Sequence, residues 1–165
     1  NNTLGFAFSS IPPYIASILN KKYPNPSPHG IIEISIMREE IFKLLVSQIA
    51  QYGGALWLCD YGEVLPQPRS TLRSYYRHEI INIFEKLGEA DLTTDVDFGT
   101  LIELTSLYSK LKYNILSQAE WLTMHGLEDR VKKLLPSEEK LSTLYTKLVS
   151  PSEMGAKFKI LTVSL

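Results

Sequence analysis

The hydrophobic pattern of residues 53–62, GGALWLCDYG, predicts a buried strand. Two glycines precede an almost wholly apolar run from Ala55 to Asp60, and Tyr61 and Gly62 follow at once. A short apolar run between turn residues is typical of a strand buried on both faces, as in a parallel sheet. Ligands of open α/β sheets bind beyond the carboxyl ends of such strands, so Asp60 and Tyr61 are candidate functional residues. An ordinary turn is the alternative, because Asp and Gly favour turns for backbone reasons.

A strand–helix–strand unit is predicted just before and including this run. Residues 31–35 (IIEIS) have the pattern of a short strand, and Ser35 is a suitable N-cap for a helix over residues 36–52. The predicted buried stripe of that helix comprises Ile41, Leu44, Leu45 and Ile49. Since a helical crossover joins parallel strands, the strands at residues 31–35 and 55–60 are expected to be parallel.

The remaining pattern alternates between helices and short strands. Helices are predicted at residues 14–23, 98–111, 118–126, 127–135 and 137–149, and strands at residues 4–9, 113–116 and 157–165. Asp97 and Ser117 are suitable N-caps for the helices that follow them. Residues 70–87 fit a helical period, but their aromatic and β-branched content leaves a strand open for residues 71–76. The chain is therefore predicted to be an α/β protein with a helical excursion near its C-terminus.

Composition and charge narrow the class of protein. The 165 residues suffice for one domain with a core, and 44% hydrophobic with 21% charged residues is ordinary for a globular protein. The net charge of −1 gives no overall basic field for nucleic acid or acidic lipid. With Cys59 as its one cysteine, the chain can form no intrachain disulfide, which fits a reducing compartment, and Cys59 itself is predicted to be an inert core thiol. No apolar stretch reaches the ~18 residues that a membrane span needs.

Titratable residues outside the apolar run suggest chemistry only weakly. His78 lies near two arginines and could act as a general base, although an ordinary surface position is favoured. Asp91, Asp95 and Asp97 could bind a hard cation, but no glutamate follows at the distance an EF-hand requires. Capping explains these acids equally well, so no metal site is predicted. No Gly-x-Gly occurs in the chain, so no phosphate-cradling or dinucleotide loop is encoded.

Several stretches in order resemble one known family. They are HGIIEIS, GGALWLCDYG, TLRSYYRH, GEADLTTDVDF, SQAEWL and MGAKFKIL, spread over nearly the whole chain. Together they are similar to the C-terminal half of the MidA family of S-adenosylmethionine-dependent methyltransferases, which includes the mitochondrial complex I assembly arginine methyltransferase. The resemblance implies the C-terminal part of a Rossmann-like methyltransferase sheet with helical insertions. It also implies that residues 1–165 are a single partial domain, whose glycine-rich S-adenosylmethionine loop lies N-terminal to this sequence.

The resemblance also assigns site residues. Asp60 and Asp91 are the implied catalytic carboxylates, which would orient a guanidinium nucleophile and hold its charge through bidentate bonds. The implied substrate-binding residues are Tyr61, Gly62, Thr71, Arg73, His78, Thr93, Asp97 and Gln118. Asp95 departs from the family, which usually has histidine there, so substrate preference stays open.

Two functions follow from this resemblance. The first is the substrate-side portion of a methyltransferase that acts, in its intact form, on a protein, with arginine as one candidate acceptor. The second is a non-catalytic remnant that docks a partner such as a respiratory-complex subunit. A sheet cut through its middle has an exposed strand edge, so self-association or pairing with an N-terminal half is expected. The expected location is the bacterial cytoplasm or, in a eukaryote, the mitochondrial matrix.

Overall fold

The computed structural model describes residues 4–23, 30–134 and 139–165. The helices are α1 (Pro13–Lys22), α2 (Ile36–Tyr52), α3 (Phe98–Ser106), α4 (Gln118–Met124), α5 (Leu127–Leu134), α6 (Glu139–Val149) and α7 (Met154–Lys157). The strands are β1 (Ala55–Glu63), β2 (Arg73–Tyr76), β3 (Glu79–Ile81), β4 (Asp91–Thr93), β5 (Val96–Asp97), β6 (Lys112–Ser117) and β7 (Phe158–Ser164). The α/β class is confirmed. None of the helices within the described ranges is long and apolar enough to cross a membrane.

The chain divides into two compact units. The smaller unit comprises Asn1–Glu33 and Gln67–Thr94, and the larger unit comprises Ile34–Pro66 and Asp95–Leu165. The assignment of residues 1–165 to one partial domain therefore stays a prediction.

A four-stranded sheet in the order β5-β1-β7-β6 forms the framework of the larger unit. β7 pairs antiparallel with both of its neighbours, and its register with β1 runs from Ala55 opposite Ser164 to Tyr61 opposite Phe158. β5 pairs parallel with the end of β1, where Gly62 lies opposite Val96. β1 therefore continues through the Asp60-Tyr61-Gly62 segment, which was predicted to follow the strand.

Two expectations for this region are wrong. β1 is not buried on both faces, because only Gly62 among its residues is fully buried and Trp57 and Tyr61 are exposed. Residues 31–35 form no strand. The strand that pairs parallel with β1 is β5 instead. The helix α2 begins and ends close to its predicted bounds, and Gly53 follows it at φ 84°. Ser35 occupies the N-cap position, but its side chain makes no capping hydrogen bond.

The core of the larger unit lies where α2 and α3 pack against the sheet. Its most buried apolar side chains are Phe42, Val46, Phe98, Leu101, Leu161 and Val163. The residues that α2 contributes to this core are Phe42, Val46 and Ile49. Of the stripe predicted to be buried, only Ile49 is therefore buried. Ile41, Leu44 and Leu45 are exposed instead. Apolar side chains therefore surround α2 on more than its core-facing side.

Helix ends in the larger unit follow local capping rules. Asp97 caps α3, where its carboxylate accepts from Thr100 N at 3.0 Å and from Thr100 Oγ1 at 2.8 Å. Ser117 and Glu120 form a capping box at the start of α4. Such caps stabilise a helix by about 1 kcal/mol each. The predicted N-caps Asp97 and Ser117 are confirmed. The helices that follow them, α3 and α4, end earlier than predicted, at Ser106 and Met124.

The smaller unit contains a three-stranded antiparallel sheet in the order β3-β2-β4. Arg77 and His78 form the two-residue turn between β2 and β3, with φ of 52° and 68°. Positive φ at both positions is typical of a type I′ hairpin turn, which matches the twist of the flanking strands. The strand alternative for residues 71–76 is thus confirmed over Arg73–Tyr76. No strand forms at residues 4–9 in the described part of this unit.

Candidate functional site

A groove beside β1 includes Asp60 in its lining. It has a volume of about 460 Å³ and lies between β1, α2 and the start of α3. Ser35, Arg38 and Asp60 supply its polar side chains. The rest of the lining is mostly apolar and includes Met37, Ile41, Leu45, Leu58 and Phe98. The groove can therefore hold apolar groups along most of its length, with one carboxylate at its rim.

Asp60 presents its carboxylate to solvent in this groove. Oδ1 accepts a hydrogen bond from the backbone N–H of Tyr61 at 2.8 Å. The ring of Tyr61 lies 4.0 Å from that of Phe158, measured between centroids, which fixes its direction against β7. Burial, and secondly the charge of Asp60, raise the pKa of the neighbouring Cys59 thiol. The thiol therefore stays protonated at neutral pH, as an unreactive cysteine should.

Gly62 allows the close approach of β1 and β5. A Cβ atom at this position would lie 2.1 Å from the Val96 carbonyl oxygen and 3.0 Å from the Phe98 ring. Asp97 lies opposite Glu63 in the same pairing and is buried as the cap of α3. The structure thus brings Gly62 and Asp97 together. Gly62 lets β1 and β5 approach each other, and Asp97 caps α3.

Gln118 is also buried, at the start of α4. Its Nε2 donates to the Leu148 carbonyl at 2.8 Å, which ties α4 to the end of α6. Within the larger unit this is a bracing contact between helices. A direct contact with substrate stays a prediction.

The other predicted site residues lie in the smaller unit. Arg73 and Thr93 are opposite each other in the pairing of β2 with β4, and Asp91 is opposite Tyr75. Thr71 directly precedes this sheet, whereas His78 lies at the exposed hairpin turn at the other end of β2. Thr71, Arg73 and Thr93 are therefore grouped and His78 is apart from them. The two implied catalytic carboxylates, Asp60 and Asp91, belong to different units.

Glu33 is a residue that the sequence interpretation missed. Its carboxylate accepts hydrogen bonds from Ser70 Oγ at 3.1 Å, Thr71 N at 2.9 Å, Leu72 N at 3.2 Å and the Thr71 hydroxyl. These partners explain why residues 31–35 form no strand, since a side chain rather than a β-ladder anchors the segment. The available signal was a single acid inside the otherwise apolar run IIEIS.

The pKa of Glu33 reflects this network. Burial alone would raise it, but the hydrogen bonds from Thr71, Ser70 and Leu72 outweigh burial and hold the pKa below the ordinary value of 4.5. Because the pKa of Glu33 is lower in the folded than in the unfolded state, its ionised carboxylate stabilises the fold. This stabilisation is fully present above the unfolded pKa and is lost as pH falls through the folded pKa.

Replacing Glu33 with glutamine should therefore destabilise the smaller unit in a pH-dependent way. We expect E33Q to lower its stability by about 1–2 kcal/mol at neutral pH, because charge-assisted hydrogen bonds become neutral ones. The difference from wild type should shrink as pH falls and vanish once pH is below the lowered folded pKa of Glu33, where the wild-type carboxyl is also protonated. Native-state hydrogen exchange of the β2–β4 amides measures both quantities. The matched control is E79Q on exposed β3, and an equal effect of both variants would contradict the role of Glu33.

Comparison with known proteins identifies the class to which this chain belongs. Residues 2–116 match the model of the family described as "Putative S-adenosyl-L-methionine-dependent methyltransferase", and the chain belongs to this family. The matched range includes β1 with Asp60 and the three-stranded sheet of the smaller unit. The predicted family resemblance is thereby confirmed.

Curated relatives carry the name of a mitochondrial enzyme. The chain is 27% identical over 157 residues to "Protein arginine methyltransferase NDUFAF7, mitochondrial" of Xenopus tropicalis, an alignment that covers 92% of this chain and 36% of the relative. It is 35% identical over 121 residues to the Caenorhabditis elegans homologue, with 70% of this chain and 28% of the relative covered. The human protein is 32% identical over 124 residues, with 72% and 28% covered. The chain thus spans about a third of the length of these relatives.

Solved structures show the same fold. An uncharacterized protein from Burkholderia thailandensis superposes with a TM-score of 0.79 at 23% identity, covering 96% of this chain and 45% of that one. A second structure from that organism, of a likely methyl transferase bound to S-adenosyl-homocysteine, gives a TM-score of 0.61 at 22% identity, covering 78% of this chain and 36% of that one. The methyltransferase fold predicted from the sequence is confirmed.

The groove beside β1 does not fit S-adenosylmethionine by itself. That molecule presents a ribose diol, an adenine and an amino-acid end, and each needs polar partners when bound. Ser35, Arg38 and Asp60 are too few for all three, and the remaining lining is mostly apolar. Nor does the sequence contain a Gly-x-Gly phosphate or nucleotide loop. The polar side chains of this groove therefore match only part of such a molecule.

Proposed function

We propose that this chain is the substrate-side portion of an S-adenosylmethionine-dependent methyltransferase that, in its intact form, methylates a protein. The observation that carries this proposal is the family match over residues 2–116. The names of the relatives support a protein substrate and make arginine the first acceptor to test. Because those relatives are named mitochondrial, we place the intact protein in the mitochondrial matrix in a eukaryote, and in the cytoplasm in a bacterium.

Asp60 is the proposed anchor for the acceptor guanidinium. It lies at the rim of an open groove, and one of its carboxylate oxygens, Oδ1, is occupied by the Tyr61 N–H. Oδ2 makes no hydrogen bond within the described part of the chain, so it can accept from a guanidinium. A carboxylate held in this way orients a cationic nitrogen, and alignment of the nucleophile is the main requirement for methyl transfer.

The proposed second carboxylate is Asp91, exposed on β4. Tyr61, Gly62, Thr71, Arg73, His78, Thr93, Asp97 and Gln118 are proposed to line or brace the substrate side. Of these, Asp97, Gly62 and Gln118 are buried, so they support the wall rather than touch substrate. The exposed or half-buried members are the proposed contacts.

A non-catalytic module that docks a partner protein is the second candidate function. It is favoured by the mostly apolar groove, which lacks the polar groups that a cofactor needs. In both cases the 165-residue chain alone is proposed to be inactive. For the methyltransferase, catalysis is proposed to require pairing with an N-terminal half. The two candidates differ in whether that pairing restores cofactor binding.

Titration of the chain with S-adenosylmethionine tests this proposal. We expect no saturable heat by isothermal calorimetry from the 165-residue chain, and saturable binding from an intact protein that contains it. Micromolar binding by the chain alone would contradict the statement that its residues supply only one side of the site. An intact protein that also fails to bind would favour the docking module over the enzyme.

A further inference from the structure

Basic side chains gather at the end of the hairpin in the smaller unit. Arg77 and His78 form the turn between β2 and β3, and Lys86 belongs to the loop between β3 and β4. The Cζ atom of Arg77 and the Nζ atom of Lys86 each lie 5.3 Å from the centroid of the Tyr76 ring. These two cationic groups are therefore at most twice that distance apart. We refer to Arg77, His78 and Lys86 together as the basic tip.

The cations of the basic tip have no acidic partner in the described part of the chain. All three side chains are exposed, and Glu79 and Glu85 adjoin the tip in the sequence. Even so, no ion pair among the described residues joins an acid to Arg77, His78 or Lys86. Since arginine and lysine are positively charged at neutral pH, the tip presents two positive charges and an imidazole to solvent.

The backbone of the basic tip is strained. Among the described residues, the non-glycine residues with positive φ are Arg77, His78 and Lys86, at 52°, 68° and 51°. Positive φ is uncommon for a residue with a long side chain, and a type I′ turn favours Asn-Gly over a pair such as Arg-His. Folding stability alone would therefore favour other residues here. Strain that a protein retains in this way is typical of positions that take part in binding.

The loop between β3 and β4 holds Lys86 in a defined position. The Asn82 side chain accepts a hydrogen bond from Phe84 N, and the Lys86 carbonyl accepts from Glu89 N and Ala90 N, each at 2.9 Å. The positive φ of Lys86 is thus part of a hydrogen-bonded turn that brings its ammonium group to β2. A cation positioned before binding loses less conformational freedom when a ligand arrives.

We propose that the basic tip binds an acidic segment of a partner protein, in which two carboxylates lie two residues apart. Side chains at positions i and i+2 of an extended segment point to the same side and lie about 7 Å apart. Two cations that are at most twice 5.3 Å apart can contact both carboxylates, and the His78 imidazole can donate a further hydrogen bond.

A short acidic segment suits the basic tip better than a long polyanion does. The chain has a net charge of −1 and therefore no overall basic field that would follow a nucleic acid backbone. Two charges at one end of a hairpin instead match a ligand with few negative groups. The inference rests on the proposed function in one respect, which is that the partner is a protein.

Titration of the 165-residue chain with the peptide acetyl-Gly-Glu-Gly-Glu-Gly-amide, followed by NMR, tests this inference. We expect saturable shifts of the backbone amide signals of residues 76–78 and 86 at low ionic strength, and weaker binding as salt is added. The matched peptide with glutamine in place of both glutamates should shift none of these signals. The variant R77Q/K86Q should bind the glutamate peptide about fivefold more weakly. The control R130Q/K133Q removes the same two charges from exposed positions of α5 and should bind as wild type does.

A second variant tests whether the strain is retained for binding. R77N/H78G supplies the dipeptide that a type I′ turn favours. We expect the β2 and β3 amides of this variant to exchange hydrogen at least about fivefold more slowly, because the strain is relieved. The glutamate peptide should nevertheless bind at least about threefold more weakly, because one cation and the imidazole are lost.

Four results would overturn the inference. They are no saturable shift with the glutamate peptide, equal binding by R77Q/K86Q and its control, unchanged or faster exchange in R77N/H78G, or shifts of the tip signals with heparin where the peptide causes none. Circular dichroism checks that the variants are folded, which is expected because the replaced side chains are exposed. Neither S-adenosylmethionine nor methyl transfer enters these measurements, so peptide binding and the proposed catalysis can fail separately.

Discussion

Replacing Gly62 with alanine is expected to lower the free energy of unfolding of the larger unit by about 3 kcal/mol. The added Cβ would lie 2.1 Å from the Val96 carbonyl oxygen and 2.9 Å from its carbonyl carbon, and backbone cannot move aside as a flexible side chain can. Relief requires β1 and β5 to separate. That separation would displace Asp97, which caps α3. Urea unfolding followed by the fluorescence of Trp57 and Trp121 reports on this unit, since both tryptophans lie within it.

A matched control distinguishes this clash from a general effect of losing glycine. At Gly5 an added Cβ would meet open space, with no atom within 4 Å, so G5A should change stability by less than about 0.5 kcal/mol. Stability of G62A within that same margin would show that β1 and β5 are not held together as described.

Replacing Asp60 with asparagine should reduce methyl transfer by about 100-fold in an intact protein that contains this chain. Asparagine is nearly isosteric and can still accept from the Tyr61 N–H, which donates to Oδ1 at 2.8 Å. What it loses is the negative charge that would hold a guanidinium. Incorporation of labelled methyl groups at saturating S-adenosylmethionine measures the loss, and an unchanged thermal midpoint shows that the fold is intact.

Glu63→Gln is the control for Asp60→Asn. Glu63 is an exposed acid on the same strand, 3.4 Å from Lys159 through Oε2, and it has no proposed part in binding. Its replacement should leave turnover within about twofold of wild type, because the Glu63 side chain is 51% exposed and an ion pair with so exposed an acid contributes little. Full activity of D60N, or an equal loss in E63Q, would remove Asp60 from the proposed site.

Local patterns predicted much of the fold. α2, β6 and β7 are close to their predicted bounds, and Asp97 and Ser117 cap the helices they precede. Each of these features depends on residues a few positions apart, where periodicity and capping rules apply. The α/β class follows from such features taken together.

Features that depend on distant residues could not be predicted in this way. Residues 31–35 have the pattern of a strand, yet Glu33 binds Ser70, Thr71 and Leu72, which are 37 to 39 positions away. The buried side of α2 was misassigned because apolar residues occur around much of the helix, and its packing partners decide which are covered in this chain.

Most of the candidate site was predicted only through family resemblance. Composition and spacing marked Asp60 and Tyr61, but they could not connect these residues with Thr71, Arg73 or Asp91. Those residues lie in a different compact unit. From the sequence pattern alone, an ordinary turn was the favoured interpretation of residues 60–62.

The position of β7 between β1 and β6 has a consequence for synthesis of the protein on the ribosome. Every other element of the larger unit is translated before β7 (Phe158–Ser164). In the folded protein, Ser164 of β7 lies opposite Ala55 of β1 on one side and opposite Lys112 of β6 on the other. Until it emerges, β1 and β6 lack the strand that pairs with both of them, and the nascent chain displays the apolar residues of β1 together with Ile115 and Leu116 of β6. Pairing across so long a sequence separation is slow. Chaperone capture during translation is therefore expected to concentrate on β1 and β6.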